Sequence, residues 1–340
     1  MKWKLWLNII TLGALALLII LARHDIYNAV AKVKDLNWLV LLLIIPALIL
    51  SFYTLAKSFA VYFKATGQAL SMKVLVPAMI ELNFVNHVFP SGGVSGASYF
   101  AWRVRPHGIS TAKSTLAQLT RFSFAFVGYI ALMLVSLVLL AIGGHASSLV
   151  ILLVSGIVFS LLFGMVVLVV ALGSEKRTAR FAQGLIRVVN RVIHIVRPKY
   201  PETIKMRRVK KTLLELHKDY EVIRSDFKRM RVVFAWNFAA SMCELSLLYI
   251  TFVAHGVWVN PGAVVIAFVI ATAAGLLAIL PGGIGIYEPL MTAVFISVGV
   301  PAGLALSVTL IYRTITLVFS LLTGGILYQK AINTYGTSDL

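Results

Sequence analysis

Long apolar runs separated by short polar or glycine-rich breaks dominate this chain. The runs near 5–22, 37–64, 112–142, 148–172, 232–255 and 302–330 predict six transmembrane helices, because roughly 18 apolar residues cross a hydrocarbon core of about 30 Å. The first run, Leu5 to Ala22, is followed by no Ala-x-Ala cleavage pattern and reads as a retained helix rather than a signal peptide. Two further regions, 72–105 and 262–298, are apolar but interrupted. One breaks at Phe89-Pro90-Ser91-Gly92-Gly93, the other at Leu280-Pro281-Gly282-Gly283-Ile284-Gly285. The polar stretch 174–231 keeps heptad-like apolar spacing and predicts amphipathic helices on the membrane surface.

The two interrupted regions look like copies. Gly108 follows Pro90 by 18 residues, and Gly299 follows Pro281 by the same distance. Arg121 lies 31 residues after Pro90, and Arg313 lies 32 after Pro281. Three such coincidences at an offset near 191 residues indicate an internal repeat. The predicted fold is therefore all-α: a polytopic membrane protein with about six transmembrane helices plus two re-entrant helical hairpins. Repeat one covers about 5–142 and repeat two about 148–330, in a single membrane domain over 1–340.

Charge sets the expected orientation. The chain carries 31 Lys+Arg against 12 Asp+Glu, and 17 basic and 6 acidic residues fall between Ser174 and Arg231. Basic loops stay in the cytoplasm, so 174–231 reads as a cytoplasmic insertion. Both termini are expected inside, and the protein in the cell (inner) membrane. Lys64, Lys73, Arg103, Arg105 and Lys113 bracket the first hairpin, placing its mouth inside. The loops at 256–261 and 298–302 lack Lys and Arg, placing the second mouth outside. The halves then form inverted repeats, in which glycine- and proline-broken segments mark a binding site near mid-membrane. A plain span remains the competing reading for each hairpin. The basic stretch serves either topology alone, or as a surface for anionic headgroups or a cytosolic enzyme. With 60% hydrophobic and 13% charged residues, the basic balance points to lipid rather than nucleic acid.

Candidate chemistry clusters at the breaks. Irregular backbone at membrane depth survives only where protein or a water-filled cavity surrounds it. Pro90, Gly92 and Gly93, and Pro281, Gly282, Gly283 and Gly285, lie at the two tips, with helix starts expected near Val94 and Ile284. Backbone N–H groups and a helix N-terminus there suit an anion such as a lipid phosphate; glycines for close helix packing are the alternative. Buried ionisable residues need partners and usually mark function. Arg121, Arg313, Glu288, Glu244 and Glu81 form such a set, for headgroup binding, proton coupling or gating, with structural ion pairing as the bland alternative. Asn83, Asn86, His87 and Asn237 are secondary candidates.

Absences narrow the field. The five Asp residues (25, 35, 219, 226, 339) avoid the predicted membrane interior, and no Walker loop or His-Glu-x-x-His occurs. Cys243 is the single cysteine, which excludes a disulfide framework. No cofactor or metal is expected, and no enzymatic activity.

Asn83-Phe-Val-Asn-His-Val-Phe-Pro-Ser-Gly-Gly93, Pro281-Gly-Gly-Ile-Gly-Ile-Tyr-Glu288 and the downstream Arg313 resemble the flippase-like family typified by the transmembrane domain of lysylphosphatidylglycerol synthases. The resemblance covers roughly 5–330. It implies a lipid flippase fold, moving a phospholipid or polyprenyl-type lipid between leaflets. The chain runs only ten residues past Lys330, so the soluble synthase domain, and with it lysine transfer, is not expected. Two other functions stay open: a membrane subunit docking a cytosolic lipid-modifying enzyme at 174–231, and a membrane enzyme of lipid or glycan metabolism.

Overall fold

A computed structural model describes residues 36–89, 94–143, 148–172, 226–277 and 283–336. The predicted first helix (5–22) and nearly all of the basic stretch 174–231 lie outside the described residues. All regular structure among the described residues is helical. In chain order it comprises α1 (Trp38–Leu41), α2 (Ile44–Ala65), α3 (Met72–Val88), α4 (Val94–Val104), α5 (Thr111–Ile142), α6 (Ser148–Leu172), α7 (Phe227–Ala254), α8 (Pro261–Leu277), α9 (Tyr287–Ser297), α10 (Ala302–Phe319) and α11 (Gly325–Tyr335). Among the described residues, four segments are long and apolar enough to cross a membrane: Trp38–Ala65, Thr111–Ile142, Lys228–Ala254 and Ala302–Tyr335. Outward-facing Leu39, Ile49, Leu152, Phe159, Phe163 and Ile326 are exposed, the surface of a multi-pass membrane protein.

Local chemistry moves three expected boundaries. The run 37–64 breaks between α1 and α2, because Pro46 has no N–H to offer Leu42 O. That carbonyl accepts from Ile45 N instead, at 3.1 Å. Helix α7 begins at Phe227 rather than near 232, because the Asp226 side chain accepts from Arg229 N at 3.1 Å and caps it. Lys228, Arg229 and Arg231 therefore ride on a helix rather than in the preceding segment. The last run continues to Tyr335 through a π-turn at Ser320–Gly324, where Gly324 lies against Phe84 and the Ile80 carbonyl.

The frame of the bundle is α2 against α7, the most extensive helix pair. They run antiparallel: Asn37 N donates to Ala254 O at 2.9 Å near one end, and Ser58 Oγ to Val233 O at 3.2 Å toward the other. Buried Ser51, Ala56 and Ser58 on α2 and Ala240 and Ser241 on α7 are small, which permits the close approach that drives helix association in lipid.

Each of the two interrupted regions is a helical hairpin: α3 packs on α4, and α8 on α9. Both pair a 17-residue limb with an 11-residue limb. At 1.5 Å per residue these rise about 25 and 16 Å, so the shorter limbs do not reach across a core of about 30 Å. The hairpin mouths open at opposite ends of the bundle. At the end of α2, Lys113 Nζ donates to Thr66 O at 3.0 Å and Gln68 Nε2 to Gly108 O at 2.8 Å, closing the mouth of α3–α4. At the end of α7, His255 Nε2 meets Ser307 Oγ at 3.0 Å, and Asn260 Nδ2 donates to Leu139 O at 3.0 Å beside the mouth of α8–α9. The first end carries Lys64, Lys73, Arg105 and Lys113; the second, over 255–261 and 298–302, has no Lys or Arg.

Candidate functional site

The second hairpin turns later than its glycines suggest. Gly283 (φ +71°) and Gly285 (φ +83°) both take left-handed backbone, open to glycine but strained for other residues. Helix α9 consequently starts at Tyr287, not near Ile284. Its second residue, Glu288, holds the turn. One carboxylate oxygen, Oε2, accepts the Gly285 N–H at 2.8 Å, and Oε1 accepts Nε–H of Arg313 on α10, also at 2.8 Å. The Arg313 guanidinium lies 4.3 Å from the centroid of the Tyr287 ring. The Tyr287 hydroxyl hydrogen-bonds with Tyr312 and Thr272. Tyr287, Glu288 and Tyr312 are all buried.

The first hairpin reaches the same stretch of chain from the other direction. Near the end of α3, Asn83 Nδ2 donates to Ser320 Oγ at 3.2 Å. His87 Nδ1 lies 2.8 Å from Asn83 O and 3.3 Å from Ser320 Oγ, within the electrostatic field of Arg313. The end of α3 and the start of α9 therefore converge on 312–320. Asn86 faces across the hairpin, where a Cβ on Gly96 would run into its amide. Its Oδ1 is buried without a hydrogen-bond partner among the described residues. Pro90, Gly92, Gly93, Pro281 and Gly282 lie outside the described residues.

The second arginine is held differently. Arg121 on α5 packs its guanidinium 5.5 Å from the Phe122 ring centroid, and its carbonyl accepts from Asn237 Nδ2 at 3.3 Å. Glu244 on α7 lies within its electrostatic reach, yet the two form no hydrogen bond or ion pair within 4 Å. Both side chains are half-buried. Around Glu244 stand Tyr129 of α5, Tyr287 of α9 and Tyr312 of α10, each feeling its charge. Arg121 and Glu244 thus share one interior polar region with the tyrosines beside Arg313 and Glu288.

Glu81 belongs elsewhere. Its Oε2 accepts from Arg103 Nε at 2.8 Å and from Tyr99 Oη at 2.9 Å, tying α3 to α4 within their own hairpin. The Arg103 guanidinium also lies 4.7 Å from the centroid of the Tyr335 ring, so the end of α11 docks on this hairpin. His107, at the basic end outside the spanning helices, is held below the ordinary imidazole range by partial burial and then by Arg103.

Reading the sequence for charges missed the tyrosines. Tyr287 directly precedes Glu288 and Tyr312 directly precedes Arg313. A hydroxyl-bearing ring beside each intramembrane charge was the available signal. Among the described residues no His, Cys, Asp and Glu group together to hold a metal ion.

Comparison with known proteins gives three findings. The family model described as "Lysylphosphatidylglycerol synthase TM region" matches residues 6–324. A UPF0104 membrane protein of Methanothermobacter thermautotrophicus is 38% identical over 92 residues, covering 27% of this chain and 28% of that protein. Another, from Pyrococcus horikoshii, is 30% identical over 125 residues, covering 37% and 35%. The matched segments thus span about a third of these relatives' length. No solved structure matches.

Proposed function

The chain belongs to the lysylphosphatidylglycerol synthase TM region family, and from that premise we propose that it is a lipid transporter. It carries a phospholipid or polyprenyl-type lipid between leaflets, with the anionic headgroup handled inside the bundle and the tails left in the bilayer. One observation carries this reading: two short hairpins with mouths at opposite ends converge on the same stretch, Tyr312 to Ser320. A site reached from both ends of the bundle suits alternating access, in which the two halves rock around a fixed centre. The glycines at the second tip let backbone N–H groups approach a ligand, and Arg121 supplies a cation that no carboxylate among the described residues neutralises at contact distance. The basic end is the cytoplasmic one in this reading, with both termini there, and the protein acts in the cell membrane without catalysing a covalent step.

The test is reconstitution of the full chain into vesicles containing labelled phosphatidylglycerol. Wild type is expected to equilibrate label between leaflets, and Arg121→Ala to lose most of that activity. Equal label movement in wild type, Arg121→Ala and protein-free vesicles would remove the reading. Appearance of a new lipid product on incubation would favour an enzyme instead.

A further inference from the structure

The last two turns of α3 carry unspent hydrogen-bonding capacity. Their residues divide by face: Leu82, Phe84, Val85 and Val88 are buried, whereas Asn83, Asn86 and His87 stay partly open. Phe84, Val85 and Val88 close into an apolar cluster with Tyr99 and Tyr328. The apolar face is thus used up in packing, and the polar face is not.

Hydrogen bonding fixes the His87 ring. Nδ1 lies 2.8 Å from Asn83 O, an atom that only accepts, so Nδ1 carries the proton and donates it. Ser320 Oγ, 3.3 Å from Nδ1, accepts from Asn83 Nδ2 at 3.2 Å, and together they hold the ring against the π-turn. A neutral imidazole protonated at Nδ1 presents Nε2 as an acceptor. That nitrogen has no partner among the described residues. A second proton on it would make an unpaired cation, because Glu81 is engaged by Arg103 and Glu288 by Arg313, each at 2.8 Å. Asn86, the next residue back, makes no side-chain hydrogen bond among the described residues, and its Oδ1 is buried. Buried polar atoms are ordinarily paired. Two adjoining side chains here are not.

Resting on the transport reading, we propose that His87 and Asn86 recognise a hydroxyl-bearing headgroup, the polyol of a glycerol- or sugar-type lipid. One hydroxyl donates to His87 Nε2. The Asn86 amide, which both donates and accepts, takes a second. Asn83 and Ser320 are positioning residues that keep the ring in its tautomer. Other headgroups fit this pair poorly. A phosphate oxygen would meet the lone pair of Nε2, and an ammonium would enter with no free carboxylate beside it. The place suits the task as well. Ser320 lies seven residues beyond Arg313, about 10 Å along the helix at 1.5 Å per residue, so the hydroxyls are read within the stretch that both hairpins touch.

The experiment uses the purified full chain in vesicles, with one labelled lipid at a time. Phosphatidylglycerol, phosphatidylinositol and phosphatidylethanol share a phosphodiester monoanion, but the last has no headgroup hydroxyl. Wild type is expected to move a hydroxyl-bearing lipid about tenfold faster than phosphatidylethanol, the scale of one or two net hydrogen bonds. Faster phosphatidylglycerol assigns a glycerol guest, and faster phosphatidylinositol a ring polyol. His87→Phe keeps a ring but no Nε2, and should bring the ratio close to one by slowing the hydroxyl-bearing lipid. His87→Gln returns an acceptor and should recover the preference, which a merely structural role would not do. Should His87→Phe fail to fold, Asn86→Leu, expected to lower the ratio severalfold, decides in its place. Equal rates for all three lipids in wild type, or an undiminished ratio in the variant that decides, overturn the recognition and leave transport standing. Failure of wild type to move any of the three overturns both.

Discussion

Arg313 and Glu288 meet at 2.8 Å through a single N–H···O contact that fixes the second hairpin to the last long helix. The same carboxylate holds the Gly285 amide at 2.8 Å, so the pair sets the turn as well as the packing. This makes Arg313 a clamp on the hairpin rather than an idle cation. Glu81 and Arg103 do the same within the first hairpin, also at 2.8 Å. Each half spends one ion pair on its hairpin, which leaves Arg121 and Glu244 as the opposite charges in the interior not closed on each other.

Removing one member of a buried pair leaves the other uncompensated, typically about 3–5 kcal/mol. Glu288→Ala is therefore expected to lower the thermal midpoint in detergent strongly. The double variant Glu288→Ala/Arg313→Met should recover much of the loss, because no charge remains stranded. Equal destabilisation by single and double variants would show that the carboxylate's bond to Gly285, not the ion pair, is what matters.

In the first hairpin, Glu81→Ala strands Arg103, whose side chain is 8% exposed, and should again cost about 3–5 kcal/mol. Tyr99→Phe removes one hydrogen bond to the same carboxylate and should cost about 1 kcal/mol. Denaturant or thermal unfolding of the two variants checks the order. A larger effect from Tyr99→Phe would contradict the assignment of Glu81 as an ion-pair partner first.

Close packing across the first hairpin gives a steric prediction. Gly96→Ala drives a methyl into the Asn86 amide, and overpacking of this kind costs about 1–3 kcal/mol. Asn86→Ala should relieve the clash, so the double variant is expected to be more stable than Gly96→Ala alone. Additive losses in the double-mutant cycle would mean that the two residues do not touch.

Much of this was legible in the sequence. Uncharged runs announced the long helices, and the glycine–proline breaks announced both hairpins, because a membrane interior tolerates neither charge nor open backbone cheaply. Partners were not legible. Nothing in the spacing tells Glu81, which is tied to Arg103 22 residues away, from Glu244, which forms no ion pair among the described residues. Helix starts were missed where a cap or a glycine acts: Asp226 pulls α7 forward to Phe227, and Gly283 and Gly285 delay α9 to Tyr287. Hydropathy does not register either effect. The tyrosines were passed over because, in an apolar chain, an aromatic ring reads as core until its hydroxyl is seen to bond.

The opposed mouths make the last prediction, and the transport reading depends most on it. His107, beside Gly108 at the mouth of α3–α4, is exposed, and Trp258, at the mouth of α8–α9, is 78% exposed. Because α2 and α7 run antiparallel and each leads directly into one hairpin, these positions should face different compartments. In a Cys243→Ser background, His107→Cys and Trp258→Cys are expected to react with an impermeant maleimide from opposite sides of the membrane. The His107 site should react only after the cells are opened, since Lys64, Lys73, Arg105 and Lys113 surround that end and basic residues stay inside. Labelling of both from one side would mean that one region crosses the bilayer. The two hairpin tips would then have no shared interior to serve, and an interior site reached alternately from each face would lose its physical basis.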